Sequence, residues 1–174
     1  MNKKVIKIIG LILMLIILDQ GIKIYMNINK PMLDLIHGFL CFNYVENTGS
    51  AFGLGSGNTL TIIVSNFIVL GIVIKFMVNQ FERIDRLTRI MLCMVLAGGI
   101  SNLLDRIIRG FVVDYIAVVN FPVFNLADVY IVFGWIILVL LTIKYTFKMQ
   151  KENCKKGAKV WEKQLQYLVC QLIM

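Results

Sequence analysis

Four long apolar runs, separated by clusters of charge, constrain the fold of this chain more than any other feature of its sequence. They cover roughly residues 5–26, 60–78, 90–104 and 129–147. A helix needs about 20 mostly apolar residues to cross a membrane, so the third run is long enough only if polar residues at its ends also lie within the membrane. Helices are expected because lipid offers no partner for a bare backbone amide, and the runs lack the alternation of membrane strands.

Composition excludes a soluble domain. The 174 residues are 59% hydrophobic with a mean hydropathy of +0.80, and a chain this short has too little interior to bury so much apolar surface. Lys3, Lys4 and Lys7 resemble the start of a cleavable signal peptide, but Asp19-Gln20-Gly21 follows the first run instead of a small-x-small cleavage site. We therefore expect an uncleaved first helix and an all-α membrane protein with four transmembrane helices.

The basic residues predict the orientation, because Lys and Arg tend to stay in the cytoplasm. With four spans, only Lys23, Lys30, Arg106 and Arg109 of the 18 basic residues fall on the side opposite the termini. Both termini are therefore expected in the cytoplasm. The membrane topology and the attraction of basic residues to anionic membrane lipids then explain the net charge of +8. No nucleic-acid partner is expected, because no aromatic-basic motif accompanies the charge.

Neither the cysteines nor the histidine indicates a metal site. Cys41, Cys93, Cys154 and Cys170 are scattered without a CxxC motif, and His37 is the only histidine. Neither a zinc site nor an intramolecular disulfide is expected, and no cofactor is implied.

Charged and polar residues crowd the predicted outer ends of the helices, where each charge costs roughly 2.5–3.5 kcal/mol at membrane depth. Asp19 and Lys23 are four residues apart, on one helix face. They form either a local salt bridge or a brace for a polar site shared with other helices, and both can hold. Asn102, Asp105 and Arg106 likewise share a face of the third helix, where a structural network is the favoured interpretation. Arg106 could place two donors on a carboxylate.

Two further carboxylates lie at the same predicted membrane edge. Asp128 is three residues after Asn125, which predicts an N-cap with Asp128 in the first helical turn. Capping does not account for Asp114, a second carboxylate with few cations to spare. If the two carboxylates are close, repulsion between like charges makes it unfavourable for both to ionise. They would then share a proton and could activate water for peptide hydrolysis. A capping role for Asp128 stays open beside this catalytic one.

Five segments resemble, in order, the sequence boxes of bacterial lipoprotein signal peptidase, also called signal peptidase II. The match spans residues 19 to 134, with polar motifs at the helix ends. The boxes are Asp19-Gln20-Gly21-Ile22-Lys23, Asn47-Thr48-Gly49-Ser50-Ala51-Phe52-Gly53, Gly98-Gly99-Ile100-Ser101-Asn102-Leu103-Leu104-Asp105-Arg106, Gly110-Phe111-Val112-Val113-Asp114-Tyr115 and Phe124-Asn125-Leu126-Ala127-Asp128.

The resemblance implies an aspartic endopeptidase of the bacterial cytoplasmic membrane, acting at the extracytoplasmic face. It would remove the signal peptide from diacylglyceryl-modified prolipoproteins immediately before the lipidated cysteine. Its partners would be these signal peptides and membrane lipids, and a monomer is expected. Asp114 and Asp128 match the family's catalytic aspartates. The positions expected to bind substrate or shape the site are Asp19, Lys23, Asn47, Asn102, Asp105, Arg106 and Asn125.

The resemblance also implies a small extracytoplasmic β-sheet between helices 1 and 2. The aromatic, β-prone segment 39–45, followed by a Gly-rich turn, supports it. Ser50 and Ser101 depart mildly from the family's small Gly or Ala, and the connection from Asp114 to Asp128 is shorter than usual.

The resemblance ends at about residue 149. We therefore expect a membrane peptidase domain over 1–149 and a Lys-rich cytoplasmic tail over 150–174. Apolar residues of the tail follow helical spacing, which favours an amphipathic helix on the inner leaflet or else a disordered end. They are Trp161, Leu165, Leu168, Val169 and Leu172.

Two rival functions remain compatible with an apolar four-helix protein. A small proton-coupled transporter would need polar residues along the depth of several helices, whereas the middles of the second and fourth runs are almost wholly apolar. A non-catalytic membrane assembly protein would use the same boxes for helix packing and capping, so that loss of Asp114 would harm folding instead of turnover.

Overall fold

The computed structural model describes residues 3–49 and 59–173, with side chains up to residue 154. Its helices are α1 Lys3–Asn29, α2 Thr59–Gln80, α3 Arg86–Ile108 and α4 Leu126–Ile173, and its strands are β1 Leu33–Ile36, β2 Leu40–Asn47 and β3 Val112–Val118. All four helices contain a stretch long and apolar enough to cross a membrane. The prediction of four such helices is confirmed.

The polar ends of the third apolar run are helical, as its short length required. Asp85 precedes α3 as its N-cap and accepts a hydrogen bond from the backbone amide of Thr88 at 2.9 Å. The helix ends at Ile108 with Arg109 as its C-cap, and Gly110 follows with a φ of +83°. Since glycine adopts this left-handed conformation without strain, the chain can turn sharply there from α3 into β3.

The sheet is larger than the sequence predicted. The strand expected around residues 39–45 is present as β2, but the sheet is not confined to the connection between α1 and α2. Three strands pair antiparallel in the order β1-β2-β3, and β3 comes from the connection between α3 and α4. The β-branched composition of β3 favours a strand, and pairing with β2 satisfies its backbone groups.

Two glycines of α3, Gly98 and Gly99, allow neighbouring helices to approach closely. A Cβ atom at Gly98 would lie 2.4 Å from the carbonyl oxygen of Ala127, in the first turn of α4. A Cβ atom at Gly99 would lie 2.8 Å from Cδ2 of Leu70 on α2. The absence of these side chains therefore lets the start of α4 and the middle of α2 pack directly against α3.

The chain divides into two compact units, Met1–Ile136 and Ile137–Met174. In the second unit the helix continues to Ile173. The apolar side chains of the tail lie beyond residue 154, outside the described side chains. The domain boundary after residue 149 and the placement of the tail on the inner leaflet stay predictions.

Candidate active site

A buried lysine joins the first and third helices beside the sheet. The Lys23 side chain has no solvent exposure, and its ammonium group contacts Oδ2 of Asp19 at 2.9 Å, Oδ2 of Asp105 at 2.9 Å and Oδ1 of Asn102 at 2.7 Å. An ammonium group has three donors, so these acceptors satisfy it completely. Both interpretations of the Asp19–Lys23 pair therefore hold, because the local salt bridge also braces a polar cluster shared between helices.

Asp19 links α1 to the beginning of α4. Its Oδ1 accepts a hydrogen bond from the backbone amide of Ala127 at 2.9 Å, and its Oδ2 accepts one from the hydroxyl of Ser101 at 2.6 Å. The first backbone amides of a helix have no partner within it. Asp19 therefore satisfies an amide of α4 from another helix and fixes where α4 starts.

Asp105 holds the turn from α3 into β3. Besides Lys23, its carboxylate accepts hydrogen bonds from Arg109, from Nε2 of Gln20 at 2.9 Å and from the backbone amide of Val113 at 3.3 Å. The amide of Val113 belongs to the residue immediately before Asp114. Asp105 therefore contacts the strand that carries Asp114.

Asp114 lies on β3, where strand alternation points it away from the face that carries Val113 and Tyr115. Oδ2 of Asp114 accepts a hydrogen bond from Nδ2 of Asn47 at 2.8 Å, and Oδ1 accepts one from Nδ2 of Asn125 at 2.6 Å. Its exposed fraction is 2%. Burial raises the pKa of Asp114 from 3.8 to about 6, although the two amide donors oppose the shift and the charge of Asp128 adds to it.

Asp128 and Asn125 form a reciprocal cap at the start of α4. The backbone amide of Asp128 donates to Oδ1 of Asn125 at 2.9 Å, and the backbone amide of Asn125 donates to Oδ2 of Asp128 at 3.1 Å. The predicted capping is therefore confirmed. Capping uses only one oxygen of Asp128, and the other accepts a hydrogen bond from Nδ2 of Asn102 at 2.7 Å.

Two amide side chains connect the two carboxylates. Nδ2 of Asn125 donates to Asp114 and also contacts Oδ1 of Asn102 at 3.2 Å, while Asn102 donates to Asp128. Asn125 is fully buried, and 7% of Asn102 is exposed. Asp114 and Asp128 are therefore linked to each other through the side chains of Asn102 and Asn125.

Arg106 makes contacts that the sequence did not indicate. It donates to the backbone carbonyl of Asn102 at 3.3 Å and to that of Gly49 at 3.0 Å, and it interacts electrostatically with Asp128 and Asp114. The forked contact with a carboxylate is not seen among the described residues, where Arg109 pairs with Asp105 instead. The buried Nε of Arg106 has no hydrogen-bond partner among those residues.

Sequence reasoning missed Gln20 and Arg109 and underrated Ser101. The Gln20 amide donates to the Ser101 hydroxyl at 2.9 Å and accepts from Arg109 at 3.1 Å. Arg109 is four residues after Asp105, so the spacing that drew attention to Asp19 and Lys23 would have identified this pair as well. The contacts of Gln20 and Ser101 join separate helices, and spacing gives no sign of them.

Part of the second sequence box lies outside the described residues. The departure at Ser50 and the remainder of the Gly-rich turn belong to residues 50–58. Asn47 and Gly49, the described ends of this segment, contact Asp114 and Arg106 respectively. This connection therefore contributes to the candidate site from the sheet side.

Comparisons with known proteins agree on one family. The model of the family described as signal peptidase (SPase) II matches residues 11–144. A lipoprotein signal peptidase from Fusobacterium nucleatum is 33% identical over 153 residues, covering 84% of this chain and 90% of the relative. One from Caldanaerobacter subterraneus is 44% identical over 110 residues, covering 63% of this chain and 74% of the relative.

Two solved structures, both described as bacterial membrane enzymes, share the fold. One has a TM-score of 0.68 at 26% identity and covers 80% of this chain and 89% of its own. The other has a TM-score of 0.69 at 25% identity and covers 79% of this chain and 93% of its own. Four apolar helices with a small three-stranded sheet thus form the architecture of a multi-pass membrane enzyme.

Proposed function

Because this chain belongs to the signal peptidase II family, we propose that it removes the signal peptide from diacylglyceryl-modified prolipoproteins as an aspartic endopeptidase. The cut falls immediately before the lipidated cysteine, and Asp114 and Asp128 form the catalytic pair. The family description and the names of the relatives support the substrate class. The catalytic pair rests on the geometry of the two carboxylates.

The observation that carries this proposal is the position of Asn125 between the two carboxylates. Its side-chain nitrogen donates to Asp114, while its side-chain oxygen and backbone amide cap Asp128. One residue therefore controls the relative position of both acids. A pair for general acid–base catalysis needs this kind of fixed geometry, because each member must reach the same water and the same scissile carbonyl.

The chemistry follows from unequal protonation of the pair. With a pKa of about 6, Asp114 holds its proton at higher pH than an ordinary carboxyl. When one member is neutral and the other ionised, the ionised member takes a proton from water as the hydroxide adds to the scissile carbonyl carbon. The neutral member donates to the carbonyl oxygen. Collapse of the tetrahedral intermediate breaks the carbon–nitrogen bond. The departing amine of the lipidated cysteine takes the proton that the first carboxyl received from water, and the former carbonyl oxygen returns its proton to the second carboxyl.

The remaining polar residues of the site hold this pair in place or bind substrate. Lys23 and Asp19 fix the start of α4, and Asn102 and Asn47 each donate to one acid of the pair. Arg106 is the residue that we assign to substrate. Its Nε is unpartnered among the described residues, so it can donate to a backbone carbonyl of the bound peptide.

We place the site at the extracytoplasmic face of the bacterial cytoplasmic membrane, with both termini in the cytoplasm. The distribution of Lys and Arg along the chain supports this orientation. The substrate is itself anchored by acyl chains, so a site at the membrane edge meets its scissile bond without drawing lipid into water. We propose that the protein acts as a monomer.

Separate Asp114→Asn and Asp128→Asn variants test the proposal. Each is purified and given a diacylglyceryl-modified prolipoprotein, with release of the signal peptide and thermal unfolding measured in parallel. Asp34→Asn is the matched control, because its side chain is 65% exposed on β1 and lies outside the site. We expect both site variants to remain folded and release no signal peptide, whereas the control cleaves normally.

Full cleavage by either site variant would refute the catalytic pair. Unfolding of both variants together with normal behaviour of the control would instead assign these carboxylates a structural role. The two measurements therefore separate loss of chemistry from loss of fold.

A further inference from the structure

An apolar surface is exposed on the β1–β2 hairpin. It consists of Met32, Leu33, Leu35, Ile36 and Phe39, and we call it the hairpin surface. Met32 is 83% exposed, and about half of each of the other four side chains is exposed. Soluble surfaces seldom expose contiguous apolar side chains, and such patches mark contact with another protein or with a membrane. An edge strand such as β1 is also prone to unwanted pairing when its side chains are apolar.

The connection to α1 keeps the hairpin close to the membrane. α1 ends at Asn29 and β1 begins at Leu33, so only three residues separate them. At no more than about 3.6 Å per residue, Leu33 lies within about 14 Å of the end of the helix. The headgroup region on each side of a bilayer is about 5 to 8 Å thick. A hairpin held this close to a membrane-spanning helix can reach the headgroup region.

Strand pairing turns part of the hairpin surface toward the helix end. Leu33 pairs with Phe42, and paired side chains of antiparallel strands lie on one face. Phe42 packs against the cluster that includes Met26 on α1. The Leu33 side chain is therefore on the face directed at α1, whereas alternation places Asp34 on the other face.

The hairpin surface continues the lipid-facing surface of α1. Ile24, Tyr25 and Ile28, in the last turns of this helix, are 48%, 57% and 73% exposed, and lipid is the medium that covers such a surface on a membrane-spanning helix. The hairpin surface follows directly along the chain. Lipid is therefore the occupant that this continuity favours over a soluble protein.

We propose that the hairpin surface lies in the lipid interface of the leaflet nearest the sheet and holds β2 and β3 at a fixed depth. These strands carry Asn47 and Asp114. A second step rests on the proposed function. The acyl chains of the substrate set the depth of its scissile bond in the membrane, so a sheet anchored in the same leaflet holds Asp114 at the depth of that bond.

Fluorescence tests the lipid contact without any reference to catalysis. The two native tryptophans are replaced, as Trp135→Phe and Trp161→Phe, and one new tryptophan is introduced as Leu33→Trp. In bilayers containing brominated lipids, we expect quenching comparable with that of Ile17→Trp, an exposed position within α1. Asp34→Trp is the adjacent control and should be quenched less. Water-like emission from Leu33→Trp without quenching would overturn the proposal.

Kinetics tests the control of depth. Leu33→Thr combined with Leu35→Thr introduces β-branched residues that favour a strand but removes apolar contact. In bilayers we expect KM for a lipid-modified prolipoprotein to rise about tenfold, with kcat and all detergent kinetics unchanged. The matched control, Leu33→Ile with Leu35→Ile, should behave as the native chain.

The outcomes of the two tests separate the two steps. Quenching without a change in KM would refute the control of depth and leave the lipid contact standing. An equal loss of activity in bilayers and in detergent would refute the control of depth as well, because it would mean that the substitutions act on the sheet itself. Absence of cleavage by the native chain would refute the proposed function, while the fluorescence result would still decide the lipid contact.

Discussion

Burial of Asp114 should make this protein less stable as pH rises through about 6. The folded state raises the pKa of Asp114 from 3.8 to about 6, so the folded chain binds the proton more tightly than the unfolded chain does. The stability linked to this proton is fully present below pH 3.8 and is lost as pH rises through about 6. A shift of this size corresponds to about 3 kcal/mol, since one pKa unit is about 1.4 kcal/mol.

The Asp114→Asn substitution isolates this contribution. Both carboxylate oxygens of Asp114 accept an amide donor, whereas an asparagine has only one acceptor oxygen. The variant therefore loses about 1 kcal/mol of hydrogen bonding at every pH. We expect the variant to be less stable than the native chain by about 1 kcal/mol near pH 4 and more stable by about 2 kcal/mol near pH 8.

Reversible unfolding in neutral detergent micelles at several pH values measures this crossover. Asp34→Asn serves as the control, because its side chain is 65% exposed and lies outside the site. A stability difference between the native chain and Asp114→Asn that stays constant from about pH 4 to about pH 8 would refute the buried, desolvated state of Asp114.

Three further predictions concern the residues that hold the pair. Gly98→Ala should lower the melting temperature and the activity together, because its Cβ would lie 2.4 Å from the Ala127 carbonyl oxygen. Gly71→Ala is the control and should change neither quantity, because a Cβ at that position would meet no neighbouring atom within 4 Å among the described residues. Lys23→Met should cost about 3–5 kcal/mol in chemical unfolding, because it leaves the buried Asp19 carboxylate without its cation, whereas Lys4→Met should cost less than about 1 kcal/mol. Asn125→Asp keeps the capping oxygen but loses the amide donor, so kcat should fall at least about 100-fold while circular dichroism shows an intact helix.

The positions of the four helices could be predicted because the membrane imposes a length and an apolar composition that are written in consecutive residues. The start of α4 was equally accessible, since capping by Asn125 and Asp128 depends on residues three apart. Local spacing also indicated the salt bridge between Asp19 and Lys23. Each of these local features depends only on residues that lie within one or two helical turns of one another.

The third strand could not be predicted in the same way. The segment containing Asp114 is short and apolar around its carboxylate, and whether it becomes a strand depends on a partner more than 60 residues earlier. The pairing of Val45 with Asp114 brings Asn47 within 2.8 Å of the Asp114 carboxylate. A pattern read along one segment contains no information about such a partner.

Arg106 shows a different limit of sequence reasoning. The spacing of Asn102, Asp105 and Arg106 suggested a structural network in which Arg106 donates to a carboxylate, but adjacent residues on a helix point in different directions. Asp105 instead pairs with Lys23 and Arg109, each of which can reach the same side of α3. Arg106 is left to contact the Gly49 carbonyl, which is a tertiary contact without a sequence signature.

The distribution of cations separates the structural acids from those that we propose to be reactive. Asp19 and Asp105 share Lys23, and Asp105 also has Arg109. Among the described residues, Asp114 and Asp128 have no Lys or Arg nitrogen within 4.0 Å and are held by neutral amides. A carboxylate beside a cation keeps its charge, whereas one held by amides in a buried site can exchange a proton. Placing a cation beside Asp114 would therefore remove the property on which its proposed role depends.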